Sequence, residues 1–391
     1  MRFIFTLWVD AAGHIPGIIL TSAGVGIHVG TLWHATASVA LLNGWKMSKS
    51  TTDWNGIIAP FKQADVRRSI WQVVNTSVPF VAMWYVMYLS LSVGYWLTLL
   101  LAFVAAGLLV RMFIILHDCT HGSFLPTQRG NTILGSILGV VCVTPFAQWR
   151  HSHAVHHATS GDLTRRIPGE LLPFTIAKCT SHVGDVLTLT VNEYRQLRGW
   201  ERAIYRVYRH PIFLLGIVPS LLFIVLHRFP ERGMPARVRN NVWLTNLAIF
   251  AVLGSLSWLI GWQAVLMIQL PITVIAATIG VWLFYVQHQF EDTYWADHGE
   301  WSYETAALQG SSLYRLPRVL QWFTGNIGFH HIHHLSPRIP NYQLEACHKA
   351  NPLFAQAHVL TLRESLTTLR LRLWDEEARK LVGWRAVRRT T

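Results

Sequence analysis

Residues 96–121 read WLTLLLAFVAAGLLVRMFIILHDCTH. From Trp96 to Leu116 there is one charge, Arg111. A run of about 18–20 apolar residues is long enough to cross a bilayer as a helix. His117 and His121 follow at once, four positions apart. On a helix, positions i and i+4 lie on one face. The stretch therefore predicts a membrane span that ends in a pair of candidate metal ligands.

Composition agrees with a membrane class. Of 391 residues, 51% are hydrophobic and 14% charged, with 18 Trp and 11 Tyr. The formal net charge is +13, and Lys and Arg sit largely outside the apolar runs. That distribution suits loops and a tail lying on an anionic cytoplasmic membrane surface. No basic-aromatic module of the kind that binds nucleic acid is present, so a nucleic-acid partner is not expected. The cysteines, Cys119, Cys142, Cys179 and Cys347, have no paired spacing, so neither a disulfide framework nor a zinc knuckle follows.

The expected fold is an all-α membrane protein with four transmembrane helices in two hairpins. The spans are placed at 77–94, 96–116, 243–262 and 264–286, with turns at Gly94-Tyr95 and near Gly261-Trp262. The basic segment KQADVRRS, 62–69, assigns the first entry to the cytoplasm. Residues 131–147 are apolar but short and hold Gly135, Gly139 and Pro145. Residues 212–226 are also short and hold Pro219. Both are read as re-entrant or interfacial, because a full crossing by 212–226 would turn the Arg-rich loop 227–241 outward and separate the later histidines from the earlier ones. All histidine-rich segments then form a cap on the cytoplasmic face. Residues 1–46 are read as an N-terminal extension, and 47–391 as the integral membrane domain. The mildly apolar stretch 17–43 is alternatively a fifth hydrophobic segment; Met47, opening MSKSTTDWNG, makes a plausible cytosolic start.

Three histidine clusters flank the spans. HDCTH provides His117 and His121; HSHAVHH provides His153, His156 and His157; HHIHH provides His330, His333 and His334. The last two follow an i, i+3, i+4 pattern, which is one helical face. A single histidine in such a chain is more often a hydrogen-bonded interfacial residue than a ligand. Eight on three helical stripes are better explained by metal, because neutral imidazole is the commonest side-chain ligand. Imidazole suits iron, copper, nickel or zinc. One zinc takes about four ligands, so eight point to two ions. His288, in FYVQHQFEDTYW, either pairs with Glu291 or Asp292 or adds a ninth ligand. His151 and His331 lie off the pattern, and His210, His298 and His348 have no partner in any pattern. Asp118, Asp162 and Asn326 are candidates to orient the imidazoles from behind.

The stretches HDCTHGSF, WRHSHAVHHATSGDL, FYVQHQFEDTYW and GNIGFHHIHHLSPRIPNY resemble the histidine boxes of membrane fatty acid desaturases, closest to the acyl-lipid Δ12 (ω-6) group of bacteria and plastids. The resemblance runs from about Asp53 to the C-terminus and leaves out 1–46. It implies two iron ions on the cytosolic side of four transmembrane helices, dioxygen as co-substrate and two electrons per double bond. It also implies that His117, His121, His153, His156, His157, His288, His330, His333 and His334 are the ligands, and the last doubtful member, His288, rests mainly on it.

The chemistry of the residues agrees. Taking hydrogen from an unactivated methylene needs an oxidant that no side chain supplies, and the protein's part is binding and orientation. The chain has no GxGxxG fingerprint after a strand, no four-cysteine iron–sulfur pattern and no HPGG haem signature. An external electron carrier is therefore expected, a ferredoxin or a small cytochrome. Arg228, Arg232, Arg237 and Arg239 offer it a docking surface, or else only enforce topology and touch lipid headgroups. The expected function is an oxidoreductase that desaturates membrane lipid acyl chains. The nearest alternative keeps the metal site and hydroxylates or ketolates acyl chains, alkanes or carotenoids. A metal-handling transporter is a third reading, and its histidines would lie within the spans instead of beside them.

Overall fold

The structure, a computed structural model, describes residues 4–7, 17–22, 25–30, 52–171, 174–181 and 185–388. The chain divides into two compact units, Met1–Thr51 and Thr52–Thr391. In the first, strands Ile4–Leu7, Gly17–Ser22 and Val25–Gly30 pair antiparallel in chain order. The expected start at Met47 lies outside the described residues.

The second unit is mostly helical. Four of its helices are long and apolar enough to cross a membrane: α1 (Val66–Ser90), α2 (Tyr95–His121), and, after several shorter helices, the pair Ala236–Ile260 and Trp262–His288. The spans expected at 96–116 and 264–286 fall inside these helices, whereas those expected at 77–94 and 243–262 overrun the helix ends at Ser90 and Ile260 by four and two residues; all four helices run beyond the apolar stretches at their polar ends. α1 starts eleven residues before position 77 because the Asp65 side chain accepts from the backbone N–H groups of Arg67 and Arg68, a cap that draws the basic segment into the helix. α2 continues one turn past Leu116 and stops at Gly122, whose φ of 68° is the left-handed conformation glycine adopts without strain. Apolar side chains cover the outer faces of these helices, with Trp258 85% exposed and Phe250 69% exposed. Such surfaces suit a lipid surround.

Arg111, the one charge within 96–116, is buried. Its Nε donates to Thr76 Oγ1 at 3.0 Å, another nitrogen donates to the Trp322 carbonyl, and the guanidinium lies 4.1 Å from the centre of the Trp322 ring. A cation inside an apolar helix thus has its donors met by α1 and by residue 322.

The two short apolar segments are bent. α3 (Gln128–Val141) and α4 (Phe146–Thr159) meet at 105°, and Gly199–Tyr208 meets Phe213–Arg228 at 61°. The 213–228 stretch opens with a π-helical turn, Phe213–Ile217, ahead of Pro219. The long helices that follow are α5 (Ala236–Ile260) and α6 (Trp262–His288). Two short helices complete the site region, α7 (His330–Leu335) and α8 (Asn341–Ala350).

The expectation of an all-helical chain needs one addition. Besides the strands of the first unit, Ile167–Leu171 pairs with Phe174–Ser181, Leu313–Arg315 runs parallel to Val359–Thr361, and Leu373–Asp375 pairs antiparallel with Lys380–Val382. These strands are three to eight residues long, too short for periodicity to separate them from loop. The main core contains Ile115, Leu116 and Cys119 of α2, Ile268, Ile272 and Val286 of α6, and Ile332 of α7. It therefore runs along α6 from its first turns, takes in the C-terminal end of α2 and reaches the HHIHH helix.

Candidate metal centre

Each histidine is placed by the local geometry of its element. His117 and His121 occupy the last turn of α2, one helical face apart by a single turn. His153, His156 and His157 sit on α4. His288 is the last residue of α6. α7 follows a turn in which Gly325 and Asn326 have φ of 52° and 59°. A Cβ on Gly325 would stand 2.9 Å from Ile114 Cγ2, so glycine there lets the turn close onto α2. That closure sets His330, His333 and His334 against the other boxes.

The imidazoles gather in two groups. In the first, ligand atoms of His117, His121, His153, His157 and His333 all lie within 4.8 Å of one another. In the second, the same holds for His156, His288 and His334. Within the first, Nε2 of His157 is 3.1 Å from Nε2 of His153 and 2.9 Å from Nε2 of His333. Within the second, Nε2 of His156 is 3.3 Å from Nε2 of His334. His330 joins the second group's edge, its Nε2 3.0 Å from Nε2 of His288. All nine sequence candidates are thus in one of two clusters or against it.

Eight of these residues are buried and His121 is half-buried; burial is the largest cause that holds His330, His333 and His334 well below the ordinary histidine range, and neighbouring imidazoles add to it. That direction favours the neutral form of His330, His333 and His334, the form that binds metal. Nε2 of His121 and Nδ1 of His157, His330 and His333 have no hydrogen-bond partner. The close approaches within the clusters are between Nε2 atoms, and two such lone pairs facing each other in burial are costly unless a proton or a cation lies between them. The donor set, nitrogen throughout, fits a transition-metal ion.

Groups behind the rings fix some of them. Asp118 Oδ1 is 3.1 Å from His117 Nδ1, while its Oδ2 accepts from Asn341 N at 2.6 Å and Asn341 Nδ2 at 2.8 Å. The Gly310 carbonyl is 3.3 Å from His288 Nδ1. Trp149 stacks on His153 with ring centres 4.3 Å apart. Asp185 Oδ1 is 2.6 Å from Nδ1 of His156. Asp185 was not evident in the sequence, since it lies 28 positions beyond His157 in a stretch with no recognisable pattern.

The other two orienting candidates turn elsewhere. Asp162 follows Gly161, whose φ is 78°, and its Oδ2 meets His298 Nδ1 at 2.8 Å while its Oδ1 accepts from Thr164. Proximity to the second box in sequence therefore does not bring it to that box in space. Asn326 donates to the Asn341 carbonyl at 3.2 Å and accepts from Gln321 at 2.8 Å. It braces Asn341, and through it Asp118. His331 stands apart from both clusters. It is buried rather than at a polar surface, and its Nε2 lies 3.1 Å from Nδ1 of His348, which sequence spacing had left without a partner.

A cavity of about 470 Å³ opens against His117 and His153. Its volume lies within the about 300–1,000 Å³ usual for small-molecule sites. One wall is a single stripe of α6, Thr273, Ala276, Ala277, Gly280, Phe284 and Gln287. At about 1.5 Å per residue the stripe is about 21 Å long. Facing it are α2 and the 213–228 segment. A polar cluster lies at Gln148, Ser152 and Glu231, where Ser152 donates to Glu231 at 3.1 Å and Glu231 N donates to Gln148 Oε1 at 3.0 Å.

A model of the family described as Fatty acid desaturase matches residues 92–365. A protein of Bacillus subtilis (strain 168) named fatty acid desaturase is 45% identical over 331 residues, covering 85% of this chain and 90% of that one. Two Arabidopsis thaliana proteins are more distant. A temperature-sensitive sn-2 acyl-lipid omega-3 desaturase (ferredoxin) of the chloroplast is 27% identical, covering 77% of this chain and 70% of its own. An acyl-lipid omega-3 desaturase (cytochrome b5) of the endoplasmic reticulum is 28% identical, covering 74% and 76%.

Proposed function

The chain belongs to the fatty acid desaturase family, and from that premise we propose that it is a membrane-bound acyl-lipid desaturase with a di-iron centre held by nine histidines. The observation that supports this most is the meeting of two buried imidazole clusters with one apolar cavity. His117, His121, His153, His157 and His333 would hold one iron, and His156, His288, His334 and His330 the other.

Bound there, iron supplies with dioxygen the oxidising power to remove two hydrogen atoms from neighbouring methylenes. The balance takes two electrons and two protons from outside and leaves two waters. The remaining tasks belong to the side chains. The α6 stripe and the 213–228 segment seat an apolar chain and exclude water. Gly280 leaves a groove where a larger residue would fill the wall; a Cβ built there meets nothing within 4 Å. The ring of Phe284, centred 5.0 Å from that of His156, carries the apolar wall up to the second cluster. Gln148, Ser152 and Glu231 offer hydrogen bonds to the polar part of a lipid.

The electrons come from a ferredoxin or a small cytochrome, as the names of the two Arabidopsis proteins print for those enzymes. The shared site supports one membrane placement. α2 and α6 both end in cluster histidines, so these two ends lie on one side of the membrane, and the basic cap at Arg67 and Arg68 favours the cytoplasm. The four long helices are then two hairpins, with the bent segments 128–159 and 199–228 at the interface and 1–46 outside the enzymatic domain. Reporter fusions after Trp149 and after Leu335 should both read cytoplasm, and an external reading from either removes this topology.

The deciding experiment is expression in a host that makes only saturated and monounsaturated acyl chains, followed by lipid analysis. A new double bond supports the desaturase, whereas a hydroxyl or keto product replaces it with the oxygenase reading. Position is the second readout: Δ12 follows from the resemblance of the boxes, omega-3 from the plant relatives' names, and fragmentation of the product distinguishes them.

A further inference from the structure

We infer that Asp185 is the positioning carboxylate of the second imidazole cluster, the counterpart of Asp118 in the first. The inference rests on the two-metal reading above. Each cluster contains one histidine whose Nδ1 lies close to a carboxylate oxygen: His117 is hydrogen-bonded to Asp118 at 3.1 Å, and His156 lies 2.6 Å from Asp185 Oδ1, within ion-pair distance but off the line of a hydrogen bond, so that a small rotation of either group would align them. A carboxylate on Nδ1 selects the tautomer with the proton there and leaves the Nε2 lone pair free. Nε2 of His156 indeed points into its cluster, 3.3 Å from Nε2 of His334.

Asp185 is held for this task by contacts that do not involve the histidines. The segment that follows it is pinned at successive residues. Leu187 N donates to Tyr208 Oη at 3.1 Å, Leu189 N donates to Tyr205 Oη at 3.0 Å, and Trp374 N donates to the Leu189 carbonyl at 2.9 Å. The fully buried Arg209 donates to the Leu187 carbonyl and, at 2.9 Å, to Thr188 Oγ1. A second core of Leu187, Leu189, Tyr194, Tyr205 and Leu373 packs beneath. Two helices and the C-terminal strand pair thus fix a backbone whose only acid at the site is Asp185. The same side chain lines the cavity beside His153, so it stands between the chain-binding wall and the second cluster. Asp118, by contrast, is sealed behind α2 by Asn341.

The test is anaerobic titration of the metal-stripped full-length protein with ferrous ion, comparing the parent with Asp185→Asn and Asp185→Ala. The parent should fill two sites. Both variants should keep one site at parental affinity and weaken the other by about 10–100-fold, the usual effect of removing a carboxylate behind a ligating imidazole. Asp185→Glu should recover part of the loss. Thermal midpoint and detergent monodispersity identify any variant that fails to fold, and the isosteric Asp185→Asn then decides. Unchanged affinity at both sites in Asp185→Asn, or equal weakening of both, overturns the assignment while leaving the two-metal reading standing. A parent protein that binds no ferrous ion overturns both together.

Discussion

Nε2 of His333 lies 2.9 Å from Nε2 of His157, across 176 positions of sequence. Two neutral imidazoles that close in burial leave lone pairs facing each other unless a proton or a cation lies between. Replacing either by Ala should therefore remove metal and abolish turnover. His331, two positions earlier than His333, faces His348 instead. His331→Ala should keep the metal and lose at most about 10–100-fold in rate. Metal per purified chain, measured beside product formation, checks both. Complete metal loss in His331→Ala would contradict the placement of its ring.

Asp118 joins His117 to both the backbone and the side chain of Asn341. Asp118→Ala leaves two buried donors of Asn341 without their acceptor, at a cost of about 1–3 kcal/mol for each such group. The expected outcome is a lowered thermal midpoint together with weakened metal binding. Asp118→Asn should keep more of the fold than of the metal. Equal metal content in Asp118→Ala and the parent would show that the contact orients nothing.

Gly280 offers the widest test of the cavity. A Cβ there meets nothing within 4 Å, so a leucine extends into open space on the α6 wall. Gly280→Leu should keep its metal and shift products toward shorter acyl chains, with the longest substrates losing most. An unaltered chain-length profile would place the acyl chain elsewhere.

The unit Met1–Thr51 is compact on its own. Deleting residues 1–46, so that translation starts at Met47, should leave insertion and turnover intact. Loss of activity at normal expression would assign the extension a role in the enzyme.

Much of this chain was legible because its signals are local. A helix repeats every 3.6 residues, so HxxxH and HxxHH state by themselves which rings share a face, and an apolar run states by its length that it can span a bilayer. The order of His330, His333 and His334 on α7, with His331 turned away, needed no more than this. What periodicity cannot supply is the partner of a face. The division of the histidines between two clusters depends on how α2, α4, α6 and α7 pack, and none of these is adjacent to all the others in sequence. Asp162 lies five positions from His157 yet faces His298, because Gly161 turns the backbone away. Asp185, 28 positions from the same histidine, reaches His156 because Arg209, Tyr205 and the C-terminal strands fix its segment beneath the second cluster. The sequence by itself determined which side chains are candidate metal ligands and roughly where the long apolar helices run, since both follow from spacing along one element. Only the tertiary structure decided which histidines gather in each cluster, which carboxylates lie beside them and where the apolar cavity opens, since each depends on contacts between residues far apart in the chain.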